Sequence, residues 1–322
     1  METPIFITGG AGYIGSHVVL ALLDAGKAVV VFDDLSTGLS DLVPKGVPFI
    51  KGDVGDISLV RESLRAYDCQ SVMHFAGSIV NPESFEVPLD YYANNTSASR
   101  NLIEACKLED VKYFVFSSSA SVYGDPEISP ISEITTTAPI SPYGRSKLMT
   151  EWMLADAAGS SLKFAMLRYF NVAGADPKGR SGQVGPSTHL IKIATEAALG
   201  LREGVNIFGD NYETSDGTCI RDYIHITDLA DAHVLALNYL MSKGDSLILN
   251  CGYGHGYSVR QVINAVEKVA GVILNTPVGP RRKGDAAALI ADNAKILTTL
   301  PWVPNHDDLE FIIQTALNWE RR

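Results

Sequence analysis

Near-continuous apolar runs separated by helical stretches constrain this chain more than any other feature. Ile5-Phe6-Ile7, Ala28-Val29-Val30-Val31-Phe32, Ser71-Val72-Met73-His74-Phe75 and Tyr113-Phe114-Val115-Phe116 lack the polar alternation of a half-solvated strand. They read as strands covered on both faces. Between them lie helix candidates at Tyr13 to Ala25, Ile57 to Ala66 and Leu89 to Lys107. A further strand, Lys163 to Tyr169, follows a helix from about Tyr143 to Ala158. Strand and helix in repeated alternation predict an α/β fold, a doubly wound parallel sheet with right-handed crossovers. After Asn171 the pattern changes: the stretch 173–187 holds four glycines and two prolines without periodicity. This predicts a domain at 1–172 and a smaller α/β substrate domain at 173–322, with the chain crossing back near 217–240 and a site in the cleft between. Ser258 and Gln261 form a capping box that opens a helix to Val269, closed by Gly271.

Composition excludes several classes. A length of 322 residues suits two domains or one large one, and 46% hydrophobic with 20% charged residues is ordinary for a globular chain. The net charge of −11 argues against nucleic acid or anionic membrane as a partner. No apolar run reaches the roughly 18 residues of a membrane span. The opening Met1-Glu2-Thr3-Pro4 lacks a basic n-region and does not read as a secretory signal. Cys69, Cys106, Cys219 and Cys251 form no Cys-x-x-Cys pair, so no metal site is expected and a reduced, cytoplasmic setting is. Cys106 reads as a small buried hydrophobe.

Gly9, Gly12 and Gly15 stand in Thr8-Gly9-Gly10-Ala11-Gly12-Tyr13-Ile14-Gly15, after the first strand and at the head of the first helix. That context suits a Rossmann-type turn, in which the backbone approaches a dinucleotide pyrophosphate at the positive end of a helix. Asp33 ends the second strand, eighteen residues beyond Gly15. Its carboxylate would accept both adenosine ribose hydroxyls and repel a 2′-phosphate, by about 1 kcal/mol in water and about 4 in partly screened protein at 4 Å. NAD is therefore expected over NADP. Asp34 reads as a solvated turn residue, Asp53 and Val54 as placed to meet adenine, and Phe75-Ala76-Gly77 as a strand end against which a cofactor can lie.

Tyr143-Gly144-Arg145-Ser146-Lys147 is Tyr-x-x-x-Lys, and four residues bring two side chains to one helical face. A tyrosine must lose about three pKa units, about 4 kcal/mol, to act as a base near neutrality. A lysine ammonium one turn away, together with an oxidised nicotinamide, would supply that shift. Ser117-Ser118-Ser119 ends the fifth strand, 24 residues before Tyr143 counting from Ser119, where ligands of parallel sheets gather.

The segments TGGAGYIGSH, HFAG, FSSSASVYG, SPYGRSKL, LRYFNVAGA, DGTCIRDYIHITDLADAH and PRRKGD resemble those of UDP-glucose 4-epimerases, in the extended short-chain dehydrogenase/reductase family. The resemblance runs from residue 3 to about residue 293. It implies that Tyr143 is the catalytic base, in contact with both cofactor and substrate, Lys147 its electrostatic partner and nicotinamide-ribose anchor, and Ser119 the third member. It implies NAD contacts from Tyr13, Ile14, the segment Asp33, Asp34, Leu35, Ser36, Thr37 and Gly38, then Asp53, Val54, Phe75, Ala76, Gly77, Asn94, Ser117 and Tyr169. A UDP-sugar would meet Ser119, Ala120, Ser121, Asn171, His189, Leu190, Asn206, Ile207, Phe208, Arg221, Arg282, Asp285 and Leu289. Arg221 and Arg282 suit a diphosphate; Lys283 reads as a solvated loop residue. The implied reaction removes the 4-hydroxyl proton and a hydride from C4, turns the resulting 4-keto sugar over, and returns both to the other face. The family also implies a homodimer through the helices at 89–107 and 143–158.

Some positions depart from the family pattern. Ser78 and Ile79 stand where several relatives have a lysine after Phe-Ala-Gly, and Thr188-His189-Leu190 replaces an Asn-Asn-Leu. Leu289 stands where relatives gate N-acetylated sugars, so UDP-N-acetylhexosamine and UDP-pentose remain open as substrates. A 4,6-dehydratase would need an acid and base where this chain has Ala120 and Ser121. An NAD-sensing regulatory protein would need neither the Tyr/Lys pair nor the strand-end serine.

Overall fold

Strand β1 (Ile5–Thr8) is wholly buried and runs into the glycine turn, from which helix α1 (Tyr13–Asp24) departs. The computed structural model describes residues 3–159, 161–185, 188–243, 245–282 and 284–322; position 283 and the end of the 173–187 stretch lie outside the described residues. The chain continues through β2 (Val29–Asp33), β3 (Phe49–Lys51), α2 (Ile57–Ala66) and β4 (Ser71–His74). Short helices α3 (Glu83–Glu86) and α4 (Pro88–Tyr91), a π-type segment (Tyr92–Ser97), α5 (Ala98–Leu108) and β5 (Tyr113–Ser117) follow. Next are α6 (Pro142–Ala157), β6 (Lys163–Tyr169), β7 (Asn171–Ala173), α7 (Leu190–Ala198), β8 (Ile207–Phe208), β9 (Ile220–Arg221) and β10 (Tyr223–His225). The remainder comprises α8 (Ile226–Lys243), β11 (Leu247–Cys251), β12 (Tyr257–Ser258), α9 (Val259–Ala270), β13 (Val278–Gly279), β14 (Ala288–Leu289), α10 (Ala294–Thr299) and α11 (Leu309–Glu320).

Among the described residues, seven parallel strands form one sheet in the order β11-β6-β5-β4-β1-β2-β3. This is the doubly wound Rossmann-type sheet that the sequence predicts. Alternate side chains of the inner strands enter different cores. Ile5, Ile7, Val29, Val31 and Met73 pack with Val18 and Leu22 of α1 and Leu237 and Leu240 of α8. Phe6, Val30, Phe32 and Val72 pack on the other face with Leu64 of α2, Leu102 of α5 and Leu154 of α6. Burial on both faces explains the unbroken apolar runs, each large side chain contributing about 1.5–3 kcal/mol.

The strand order reverses across β1 and β4, which opens a crevice at their carboxyl ends. Three smaller sheets, β12-β9-β14, β10-β7 and β13-β8, complete the molecule, and residues of the first two line the crevice. Residues 174–181 dock on α1: the Tyr13 hydroxyl donates to Gly174 O at 2.6 Å, and the Ser16 and Ser181 hydroxyls meet at 2.6 Å. The chain then returns, so that α8 covers β5 and β6 and β11 completes the large sheet.

One helix differs from expectation. Leu89 to Lys107 is not continuous: α4 and α5 are separated by the π-type segment at Tyr92–Ser97. Widening the helix there turns Asn95 inward, where its amide bonds Ser78 and Ser146. The capping box at Ser258 and Gln261 is present, and Gly271 closes α9 in the left-handed conformation, φ +70°.

Candidate active site

The crevice holds a cleft of about 460 Å³. At its first end the glycines act by close approach. A Cβ on Gly15 would lie 2.1 Å from Gly9 O, and one on Gly9, at φ +71°, would lie 2.4 Å from Ala76 N at the end of β4. Helix α1 begins at Gly12 with no side-chain cap and no acidic residue in its first turn. Its leading N–H groups, with Gly9, Gly12, Tyr13, Ile14 and Gly15 all lining the cleft, fit an anionic diphosphate. Asp33 is buried beside them and accepts N–H bonds from Ala11 and Leu35, both at 2.9 Å. Burial pushes its carboxyl up, and those two bonds oppose the shift. Asp34 is exposed, caps Ser36 and borders the cleft. Together the uncapped helix and the anchored Asp33 fit NAD.

Ser36, Thr37, Asp53, Val54, Phe75, Ala76, Gly77, Asn94, Ser117 and Tyr169 also line the cleft. Leu35 and Gly38 are not part of its lining. Leu35 takes a positive φ of 63° in the turn, and Gly38 packs where a Cβ would lie 2.8 Å from the Ala11 backbone.

The residues expected to carry the chemistry converge from two elements. Ser141 caps α6 by accepting the Gly144 N–H at 3.1 Å, and Pro142 occupies the first turn, which fixes Tyr143 at the helix start. Lys147, one turn on, donates to Ser117 O at 3.0 Å and lies 6.0 Å from the Tyr143 ring centre. Ser119 stands beside the Tyr143 phenol and favours its ionised form, and the Ser119 hydroxyl accepts the Ser121 N–H at 3.1 Å. Electrostatics depart from the sequence expectation of a lysine-lowered phenol. Burial pushes Tyr143 above the ordinary tyrosine value, and the Ser119 hydroxyl opposes this. Burial lowers Lys147 to about 8, with the Glu151 carboxylate opposing, so the ammonium persists at neutral pH.

Glu151 stands one further turn along α6, buried, with Arg168 paired to it at 2.6 Å and Ser118 donating at 2.5 Å. It ties α6 to the ends of β5 and β6. Sequence reading missed Glu151 and Asn95; the four-residue step from Lys147 to Glu151 is a signal that could have found the first.

Ala120, Ser121, Asn171, His189, Leu190, Arg221, Asp285 and Leu289 line the other end of the cleft. Arg221 donates to Ala286 O at 2.8 Å and approaches Asp285 at 3.6 Å. His189 meets the Gln183 amide at 3.1 Å, and burial lowers its pKa. Asn206, Ile207, Phe208 and Arg282 do not line this cleft. Ile207 is buried in the core, and the Arg282 guanidinium stacks 3.6 Å over the Phe208 ring. Ile79 lines the cleft at the position of the relatives' lysine. The four cysteines are buried and free, and among the described residues no His, Cys, Asp and Glu cluster could hold a metal ion. No described helix is long and apolar enough to cross a membrane.

Residues 5–252 match the NAD dependent epimerase/dehydratase family. The chain belongs to this family. Within it, the chain is 54% identical over 319 residues to the UDP-glucose 4-epimerase of Azospirillum brasilense, covering 98% of this chain and 92% of that one. The UDP-glucose 4-epimerase of Stenotrophomonas maltophila, solved with NAD and formylated UDP-arabinopyranose, superposes with a TM-score of 0.96 at 37% identity, covering 99% and 98% of the two chains. That of Brucella ovis, solved with NAD, gives 0.95 at 43% identity, covering 98% of each.

Proposed function

We infer that this epimerase-family chain interconverts UDP-glucose and UDP-galactose by inverting C4 of the hexose. The observation that carries the reading is the meeting of Ser119, Tyr143 and Lys147 in one cleft between an uncapped glycine turn and Arg221. NAD, when bound, supplies the acceptor and donor of the C4 hydride. Tyr143 takes the proton of the 4-hydroxyl and later returns it, while Ser119, beside the phenol, orients the exchange. Lys147 keeps a positive charge one turn away, where it would anchor the nicotinamide ribose. Arg221 grips the diphosphate, so the 4-keto sugar turns over about its phosphate linkage without leaving. Asp33 and the α1 terminus hold the dinucleotide through the cycle. Denaturing the pure protein should release about one NAD per chain, and the intact protein should convert UDP-galactose in a coupled UDP-glucose assay. Absence of turnover with both hexoses would overturn the reading.

A UDP-pentose is a second reading, favoured by the arabinopyranose nucleotide in the Stenotrophomonas structure. Leu289 lines the sugar end here, and a panel of UDP-glucose, UDP-N-acetylglucosamine and UDP-xylose separates the cases. The same proposal includes a homodimer through the helices at 89–107 and 143–158, where Leu89 is 77% and Trp152 57% exposed. Trp152→Arg should shift the sedimenting species from dimer to monomer; a monomeric parent would refute the dimer.

A further inference from the structure

One residue, Asp222, stands between β9 and β10. Strand β9 belongs to the sheet β12-β9-β14, while β10 pairs with β7, so the chain changes sheets at this position. Its side chain is fully buried and gathers backbone N–H groups from two other segments. Tyr253 donates to Oδ1 at 2.9 Å; Gly254 and Ala291 donate to Oδ2 at 3.0 and 3.2 Å. Its backbone serves as well: the N–H donates to Leu289 O at 3.1 Å, and the C=O accepts the Asn171 N–H at 2.9 Å. Arg221 and Tyr223 on either side, with Leu289 and Asn171, all line the cleft. Gly252 leaves the carboxylate room, since a Cβ there would lie 2.6 Å from Oδ2.

We propose that Asp222 is a positioning residue that fixes the UDP-sugar end of the cleft, holding Arg221, Leu289 and Asn171 at set spacings and thereby determining affinity for the nucleotide sugar. The inference rests on the UDP-sugar reading above. A carboxylate is the group suited to the place, because three N–H donors face it and an amide would turn a fourth donor among them. Burial raises its pKa to about 6, while those donors and His255 oppose the rise, so it is ionised at neutral pH. None of its five bonds reaches the glycine turn, and cofactor retention should not depend on it.

The experiment compares NAD-loaded wild type with Asp222→Asn and Asp222→Ser. The Kd for UDP by calorimetry and the KM for UDP-galactose should each rise about tenfold or more, because Arg221, Leu289 and Asn171 lose their set spacing. Bound NAD should match wild type and kcat should fall less than about threefold. Unchanged Kd and KM, or a loss confined to kcat, would overturn the proposal. Should the variants not fold, hydrogen exchange on wild-type holoenzyme decides. Segments 252–255 and 290–292 should gain protection together when UDP binds, and exchange indifferent to UDP would overturn the proposal. A wild-type chain that binds UDP but leaves UDP-galactose unchanged would sink the reaction reading, while the affinity comparison still judges Asp222. Failure to bind UDP would overturn both.

Discussion

Tyr143 and Lys147 are buried together, and burial works against the charge of each. Removing the phenol oxygen in Tyr143→Phe should lower kcat by about 10²–10⁴-fold with NAD content unchanged, measured by the coupled assay and by cofactor release. Lys147 carries a stability cost. The unfolded lysine binds its proton up to 10.5 and the folded one only to about 8. Between those values the unfolded chain holds more protons, so stability rises with pH through that window. Lys147→Met should therefore raise the unfolding midpoint at pH 7 by about 2 °C or more while lowering kcat, and the gain should shrink as pH climbs past 8. Calorimetric scans at several pH values check this; a lower midpoint at pH 7 would contradict it. The residues legible in sequence at this scale are those placed by local spacing: a Tyr/Lys pair one helical turn apart, a serine at a strand end, an aspartate after β2. Asp222 and Asn95 are illegible because their partners lie far along the chain, Asn171 and Ala291 for one and Ser78 and Ser146 for the other.

Helix α6 carries the proposed base Tyr143 and its partner Lys147 in its first two turns, so its starting point matters. Ser141→Ala removes the acceptor for the Gly144 N–H and should cost about 1 kcal/mol in chemical denaturation. Because Tyr143 stands two residues inside that cap, kcat should fall as well, whereas NAD release should be unaltered. A variant with wild-type stability would show that Pro142 alone sets the helix start. Elements read well from sequence where one period dominates: the doubly buried strands and the amphipathic α2 and α9 appear within a residue or two of their expected ends. The π-type segment was not readable, since a single widened turn leaves the apolar spacing of Leu89 to Lys107 nearly unaltered. The two-residue strands β8, β9, β12, β13 and β14 are too short to carry any period at all.

The large sheet is finished by residues that lie in sequence between strands of the smaller sheets. β11 pairs along β6 from Leu247 to Cys251, and α8 covers α1 as well as β5 and β6. Neither half of the molecule is therefore autonomous. A protein cut after residue 172 would leave β6 with a bare row of amides and carbonyls, and α1 stripped of its apolar neighbour. Such a fragment should aggregate on expression, and light scattering measures it; a monodisperse, helical product would disprove the interdependence. Co-expressing the severed halves should restore solubility, because the missing border strand arrives from the other piece. Evolution can then enlarge or trim the loops around the sugar without moving the boundary between halves, but it cannot exchange one half for a stranger's as an independent cassette.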